Sequence, residues 1–171
     1  EAVSFAVRLL TQKQTMQILS GVLIEASDNA LQLSVFDYEV SARAGIVAKV
    51  DEPGKVLVNG RLLSEIVSKL PNAPIDISLD GNKVLIKCGS AKFNMLTMPV
   101  AEYPTLPELP DSSGTVSAEE FSTAVGQVVI AASKDDVTPQ LNGILFEAED
   151  KTITMMATDR YRISKRALSW T

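Results

Sequence analysis

The stretch LSGVLIEASDNALQLSVFDYEVSAR, residues 19–43, decides the fold because the chain contains it twice. Shifted by 122 positions, it aligns without a gap with LNGILFEAEDKTITMMATDRYRISK, residues 141–165. Seven of the 25 positions are identical, namely Leu19/Leu141, Gly21/Gly143, Leu23/Leu145, Glu25/Glu147, Ala26/Ala148, Asp28/Asp150 and Asp37/Asp159. The repeat period is far longer than that of a solenoid unit, so the pattern predicts two related domains.

Each copy has the pattern of a helix followed by antiparallel strands. An apolar run is followed by a turn around Asp28-Asn29 or Asp150-Lys151 and then by an alternating strand, and a helical pattern precedes each copy. The predicted strands are 18–26, 30–36, 39–50, 55–59, 75–79, 84–88, 92–97, 141–148, 152–157 and 161–168. The predicted helices are 2–10, 61–70 with Asn59 as N-cap, and 116–132 with Ser117 as N-cap. The predicted core-facing apolar stripes are Leu62, Leu63, Ile66, Val67 and Leu70 on the second helix, and Phe121, Val125, Val128, Val129 and Ala132 on the third. The fold class is therefore α+β, built of helix-plus-meander units.

A proline-rich segment separates the two copies. Pro104, Pro107 and Pro110 disfavour regular structure over residues 100–114, which we interpret as a linker. This predicts a first domain at 1–110 and a second at 111–171. We expect the second to hold only its first half, because the chain ends where its second helix and meander should begin.

Composition limits the possible functions. The chain of 171 residues is 46% apolar and 22% charged, which is ordinary for a water-soluble globular protein. Its net charge of −5 argues against a protein that coats nucleic acid, although a basic patch on an acidic body remains open. No apolar run is long enough to span a membrane, so we expect no membrane partner. The single cysteine excludes an internal disulfide and fits a cytoplasmic location.

The sequence lacks the residues that most catalytic sites need. It contains no histidine and no glycine-rich phosphate loop, which argues against triads, most metal sites and nucleotide chemistry. Cys88 is predicted to be packed rather than catalytic. Asp37 and Asp159 are predicted to make turns. We therefore expect no cofactor and no metal. Two alternatives stay open: a generic protein-interaction scaffold, and a metal-dependent hydrolase that uses aspartates, namely Asp37, Asp135, Asp136 and Asp159.

Modest positive charge accompanies the predicted helices. The cations off the apolar faces, or in the adjoining loops, are Arg8, Lys13, Arg61, Lys69 and Lys134. Ordinary solvated helix faces explain them, and so does a helix layer that contacts DNA phosphates without reading sequence.

A set of short motifs carries a resemblance to a known family. They are LSGVL at 19–23, FDYEV at 36–40, GRLL at 60–63, TMP at 97–99 with Tyr103-Pro104, LNG at 141–143 and ATDRYR at 157–162. In this order and spacing they resemble the bacterial DNA polymerase III beta subunit, the replicative sliding clamp. The resemblance covers the first domain, minus its opening strand, and about half of the second, so it implies that the third domain of the family is missing from this sequence.

The resemblance implies a DNA-clamp fold and a non-catalytic function. Two protomers would form a homodimer ring around double-stranded DNA, with helices inside and sheets outside. The ring would tether DNA polymerase III, the clamp loader and other proteins that carry a clamp-binding motif. Implied DNA-facing residues are Arg8, Lys13, Arg61, Lys69 and Lys134. The implied peptide-docking pocket comprises Leu141, Thr158, Arg160, Tyr161, Arg162 and Ile163. The implied dimer interface comprises Lys92, Phe93 and Met95 on an edge strand. Gln17 departs from the proline that the family commonly has there.

Overall fold

A computed structural model describes residues 2–10, 16–135 and 137–171. The chain divides into two units, Glu1–Glu108 and Leu109–Thr171. The helices and strands of the first unit are α1 Ala2–Arg8, β1 Gly21–Ser27, β2 Ala30–Phe36, β3 Ser41–Val47, β4 Gly54–Asn59, α2 Gly60–Ser68, β5 Ile75–Asp80, β6 Lys83–Cys88 and β7 Ala91–Met98. Short 3-10 helices precede β1 at Gln17–Ser20 and follow β7 at Val100–Glu102.

The strands of the first unit form one antiparallel sheet in the order β3-β2-β1-β4-β7-β6-β5. β1 lies between β2 and β4 and pairs with both along most of its length. β4 and β7 pair at only two positions, Leu57 with Met98 and Val58 with Thr97. The sheet is therefore two meanders joined by a short seam, which confirms the predicted α+β architecture of helix-plus-meander units.

The main core of the first unit includes apolar side chains from both helices and from the sheet. Ala6 of α1 and Leu63 of α2 are buried there with Val22 and Ile24 of β1. Full burial of a valine, leucine or isoleucine side chain contributes about 1.5–3 kcal/mol to stability. Asn59 caps α2 as predicted, because its side-chain oxygen accepts a hydrogen bond from the amide of Leu62 at 3.0 Å. Leu62, which we placed on the apolar stripe, is instead 43% exposed.

A second apolar cluster includes Leu23 of β1 and Leu57 of β4, together with Tyr103 from the segment after β7. The Tyr103 hydroxyl accepts a hydrogen bond from the Phe36 amide at 2.9 Å and donates to the Gly21 carbonyl at 3.4 Å. This corrects our interpretation of residues 100–114 as a linker without structure. Their first part packs on the first unit, and Tyr103 is only 8% exposed.

The second unit has one helix packed on a smaller sheet. Its elements are α3 Ala118–Val128, β8 Leu145–Glu149, β9 Thr152–Thr158 and β10 Ile163–Ser169, with 3-10 helices at Val129–Ala131 and Pro139–Leu141. The strand order is β10-β9-β8. α3 packs against β9 and β10, and Ala124, Val128, Met155 and Leu168 are buried between them. Ser117 caps α3, because its hydroxyl accepts from the Glu120 amide at 3.5 Å.

The sequence repeat is also a structural repeat. The bounds of β2 and β9, and of β3 and β10, correspond at the same shift of 122 residues. The turn residues Asp28 and Asp150 have positive φ angles of 48° and 49°. The 3-10 helix at Gln17–Ser20 corresponds to the one at Pro139–Leu141, so glutamine in place of the family's proline still permits this helix.

Several predicted boundaries were wrong. The first strand of each copy begins later than predicted. Ile18–Ser20 in the first copy and Leu141 in the second belong to a 3-10 helix instead. β3 is also shorter than residues 39–50. On α3, Phe121 and Val129 were predicted to be core, but they are 36% and 47% exposed. The small side chains of Ala124 and Ala131 are buried instead, which allows the helix to lie close to the sheet.

Candidate functional site

The predicted DNA-facing cations of the first unit lie on its two packed helices. Arg8 ends α1, Arg61 is in the first turn of α2, and Lys69 is its C-cap. All three are exposed. The helices pack closely at Gly60, where an added Cβ would lie 2.5 Å from Leu10 Cδ1. The segments that carry Arg8 and Arg61 are therefore in contact.

These cations have no acidic partner among the residues that the structure describes. The ion pairs found there join Lys49 to Asp51 and Arg162 to Asp159. Cations without a carboxylate partner retain their charge for an external anion such as phosphate. Lys13 lies outside the described residues.

Lys134 is the predicted DNA-facing cation of the second unit. It is exposed and follows the 3-10 helix Val129–Ala131. The adjacent Ser133 amide donates to the Leu141 carbonyl at 2.8 Å. This bond fixes the loop of Lys134 to the start of the second repeat copy, where the predicted docking pocket begins.

The turn between β9 and β10 holds most of the predicted docking residues. Asp159 Oδ1 accepts hydrogen bonds from the amides of Tyr161 at 3.1 Å and Arg162 at 3.0 Å. The Thr158 hydroxyl donates to the Arg162 carbonyl at 2.7 Å. Arg160 adopts a positive φ of 80°. These bonds hold a tight turn that leaves Tyr161 96% exposed and Ile163 65% exposed.

The hydrogen bonds of the turn favour the ionised form of the Asp159 carboxyl group. Partial burial acts to raise the pKa of its carboxyl group, but the amides of Tyr161 and Arg162 and the Arg162 guanidinium stabilise the carboxylate more strongly. The resulting pKa lies below the ordinary aspartate value of about 3.9. Arg162 also forms a direct ion pair with Asp159 at 2.9 Å. The turn therefore contains a carboxylate that is ionised at neutral pH.

The structure brings the turn next to the segment that carries Leu141. The Arg160 guanidinium donates a hydrogen bond to the Thr138 hydroxyl. Thr138 immediately precedes the 3-10 helix that ends at the half-buried Leu141. The six predicted docking residues thus occupy two neighbouring segments of one unit. Sequence analysis missed Thr138, and no motif marks it, because its role arises only from a contact across 22 residues.

The first unit contains the same turn without the same side chains. Asp37 Oδ1 accepts from the amides of Glu39 at 3.1 Å and Val40 at 2.7 Å. Tyr38, which corresponds to Arg160, has a φ of 72°. The prediction that both aspartates make turns is confirmed.

The residues of the predicted dimer interface lie on β7, and the prediction of an edge strand needs correction. β7 lies between β4 and β6 in the sheet, and the outer strands are β3 and β5. Its pairing with β4, however, involves only Thr97 and Met98, whereas its pairing with β6 extends along residues 91–96. Lys92 is exposed, Phe93 is half-buried and Met95 is buried in the main core of the first unit.

The carboxylates named for the hydrolase alternative form no metal site in the described part of the chain. No group of three or more metal-ligating side chains occurs there. Asp37 and Asp159 bind backbone amides, and Asp135 Oδ1 accepts from the Val137 amide at 3.0 Å. Asp136 lies outside the described residues. Cys88 is buried, and its thiol donates to the carbonyls of Pro71 and Ala73, so it is packed as predicted.

Two units built on one helix-and-meander plan define the DNA-clamp class of fold. Residues 1–107 match the family model of the DNA polymerase III beta subunit, N-terminal domain, and residues 115–171 match its central domain. The chain therefore belongs to the DNA polymerase III beta subunit family.

Named relatives agree with this assignment. The chain is 49% identical to a beta sliding clamp of Micrococcus luteus over 171 residues, which is all of this chain and 55% of the relative. It is 47% identical to a beta sliding clamp of Streptomyces coelicolor, over 99% of this chain and 45% of the relative. The crystal structure of the DNA polymerase III subunit beta from Pseudomonas aeruginosa matches with a TM-score of 0.86 at 29% identity, over 99% of this chain and 47% of that one. The chain thus spans about half the length of these proteins.

No helix in the described residues has both the length and the apolar character needed to cross a membrane.

Proposed function

We propose that this chain supplies the first and central domains of a sliding clamp, a processivity factor that encircles duplex DNA as a homodimer ring and tethers DNA polymerase III. The observation that carries the proposal is the consecutive match, in order, to the N-terminal and central domains of the family. The clamp does no chemistry of its own and needs no cofactor or metal. It acts in the cytoplasm, at the nucleoid.

The DNA side of the ring is formed by the helices. Exposed Arg8, Arg61 and Lys69 on the first unit support this assignment, because no carboxylate among the described residues forms an ion pair with them. Lys134 has the same role on the second unit. We include Lys13 on the family resemblance alone. Such contacts bind phosphates without reading bases, and their strength falls steeply with salt. A ring held mainly by topology can then slide.

The docking surface for partner proteins is formed by Leu141 with the turn from Thr158 to Ile163. Two large side chains, Tyr161 and Ile163, are exposed there on a turn fixed by hydrogen bonds. A rigid surface with exposed apolar groups suits a short peptide that has hydrophobic anchors. We propose that DNA polymerase III, the clamp loader and other proteins with a clamp-binding motif use it in turn.

Dimerisation uses the first part of β7. Residues 91–96 pair with β6 on one side, and in the residues that the structure describes no strand pairs with the other side there. An unpaired stretch of strand can accept a strand from a second protomer. Lys92 and Phe93 provide the contacts, and the buried Met95 supports the strand from behind.

A linearisation experiment tests topological binding. The full-length protein is loaded on nicked circular DNA by its loader, and the circle is then cut. We expect the protein to leave the DNA after cutting, because a ring slides off a free end. Retention on linear DNA with free ends would mean that direct contacts hold the protein, and the ring mechanism would be wrong.

A peptide titration tests the docking surface. Tyr161→Ala is expected to weaken binding of a fluorescent clamp-binding-motif peptide by about tenfold or more, as removal of an interface hot spot does. Tyr38→Ala is the matched control, because Tyr38 is an exposed aromatic residue, 63% accessible, on the corresponding turn of the first unit. Equal affinities for the two variants would assign the peptide to another surface.

A further inference from the structure

The first unit contains a cavity that the clamp function does not use. It has a volume of about 270 Å³ and lies where the segment after β7 crosses the sheet. Leu23, Tyr103 and Leu106 line its apolar part. The polar part is lined by Glu25, Ser34, Arg43 and Lys55. This combination of an apolar floor and a few convergent polar groups is typical of small-ligand sites.

Strand pairing places the polar groups side by side. Ser34 of β2 lies directly opposite Arg43 of β3 and also opposite Leu23 of β1. Glu25 of β1 lies directly opposite Lys55 of β4. Side chains at directly opposite positions have Cβ atoms about 4.5–5.5 Å apart. Two cations, one carboxylate and one hydroxyl therefore lie next to one another along the lining of the cavity.

These groups retain binding capacity. Ser34 is a buried polar side chain, 1% exposed. Among the described residues its hydroxyl makes one hydrogen bond, which it accepts from Gln32 at the long distance of 3.4 Å. Its own proton is therefore available to an acceptor in the cavity, and a buried donor without an acceptor is costly. The Arg43 guanidinium donates a hydrogen bond to the Pro107 carbonyl at 3.0 Å. In the described part of the chain its other N–H groups remain available to a ligand. Within the described residues, neither Arg43, Lys55 nor Glu25 belongs to an ion pair.

We propose that this cavity binds an α-carboxylate attached to an apolar side chain, as at the C-terminal end of a peptide or in a free amino acid. The fork of the Arg43 guanidinium matches a carboxylate, and Ser34 adds a third donor. Glu25 accepts the N–H group next to the carboxylate and disfavours a more highly charged phosphate. Leu23 and Leu106 contact the apolar side chain. The volume suits one or two residues, so binding is weak, with a Kd on the order of 1 mM.

A titration of the 171-residue chain tests the site by NMR. N-acetyl-leucine mimics a peptide end, free leucine represents the amino acid, and N-acetyl-leucinamide lacks the carboxylate. We expect N-acetyl-leucine to shift the amide signals of Leu23, Ser34 and Thr105, and the amide probe to leave them in place. Binding of N-acetyl-leucine supports a peptide end, whereas binding of free leucine alone supports the free amino acid. No shift with either acid at about 20 mM, twenty times the expected Kd, overturns the proposal. So does equal binding of the amide.

Variants separate specific binding from a general effect of charge. Ser34→Ala is expected to weaken binding of N-acetyl-leucine about tenfold, because it removes a hydrogen bond to a charged group. Lys55→Met is expected to weaken it several-fold and provides a second test, since Lys55 is exposed and its loss does not affect packing. Lys87→Met removes an exposed cation of β6 outside the cavity and is the matched control. Undiminished binding by folded Ser34→Ala, or by Lys55→Met, would overturn the proposal.

Discussion

Strands β1 and β8 descend from the same repeated sequence, yet they have opposite environments. β1 lies between β2 and β4, and its first four residues are buried. β8 pairs only with β9 in the part of the chain that the structure describes, and all five of its residues are exposed. Leu23 and Leu145 occupy the same repeat position and are 9% and 55% exposed. The repeated sequence thus sets the strand and its turn, and β4 together with the segment around Tyr103 buries β1.

Truncation of the two equivalent leucines should give the largest difference between the copies. Leu23→Ala is expected to cost about 2–4 kcal/mol, because it removes buried contacts with the cluster around Leu57 and leaves a cavity. Leu145→Ala is expected to cost at most about 1 kcal/mol, since half of its side chain is already in water. Amide hydrogen exchange of β2 and β9 reports the stability of each unit separately. Equal losses would refute the difference in burial.

Gly21 and Gly143 occupy equivalent positions in the repeat and also differ in how closely they are packed. At Gly21 an added Cβ would lie 2.6 Å from Leu57 Cδ1 and 3.0 Å from the Ile18 carbonyl oxygen, whereas at Gly143 it would meet nothing within 4 Å. Gly21→Ala should therefore destabilise the first unit by about 1–3 kcal/mol through overcrowding. Gly143→Ala should change stability by about 0.5 kcal/mol or less. The measurement is urea denaturation of both variants, and a larger effect at Gly143 would contradict the packing around β1.

Tyr103→Phe tests how much the segment after β7 stabilises β1, on which Tyr103 packs. The variant keeps the ring but leaves the Phe36 amide and the Gly21 carbonyl without their partner, so we expect a loss of about 1–2 kcal/mol in the first unit only. Burial raises the pKa of the tyrosine, and although the bond from the Phe36 amide lowers it, the net pKa lies above the ordinary value of about 10. The stabilisation is therefore present at neutral pH and is lost as the pH rises above 10.

The loss of stability at alkaline pH is measured as amide hydrogen exchange of β2 in a pH series. In Tyr103→Phe, the decrease in stability of the first unit that is due to ionisation of Tyr103 should be absent. An unchanged alkaline profile in that variant would assign the loss to other groups.

The smallest effect concerns the Asp159 turn and appears as a pH dependence. The folded-state pKa of Asp159 is lowered, so its contribution is present above the unfolded-state value near pH 4 and is lost as the pH falls through the folded-state pKa. Asp159→Asn should remove this acid-labile part, so that stability at neutral pH falls slightly and no longer decreases further in acid through this group. The measurement is the pH profile of the amide exchange of Tyr161 and Arg162. A variant profile that matches the wild type would show that another group controls the turn.

Local patterns were sufficient to predict much of the fold. The alternation of apolar and polar residues predicted the bounds of β2 and β6 to within one residue. The helix N-caps Asn59 and Ser117 were predicted from residue type alone. The turn role of Asp37 and Asp159 followed from their equivalent positions in the repeat. These features depend on residues close in sequence, where spacing and propensity carry the information.

Features that depend on distant contacts were missed. Nothing local marks Tyr103 as a buried bridge to Phe36, which lies 67 residues away. The contact of Arg160 with Thr138 is equally invisible in the sequence. The predicted stripe of the third helix correctly included Val128, but it also included the exposed Phe121 and missed the small residues Ala124 and Ala131, which are buried. The residues of the docking surface came from the family resemblance, because exposure of Tyr161 cannot be inferred from its type.

The paired aspartate turns separate the residue that holds the backbone from the residues that face outward. In both copies one carboxylate oxygen fixes the loop, while the side chains that follow it differ completely, Glu39 and Val40 in one and Tyr161 and Arg162 in the other. After an ancestral duplication, such an arrangement lets selection change what one turn displays without any need to redesign its backbone. A loop of this kind is also a convenient position for grafting foreign recognition sequences, provided that the aspartate is kept.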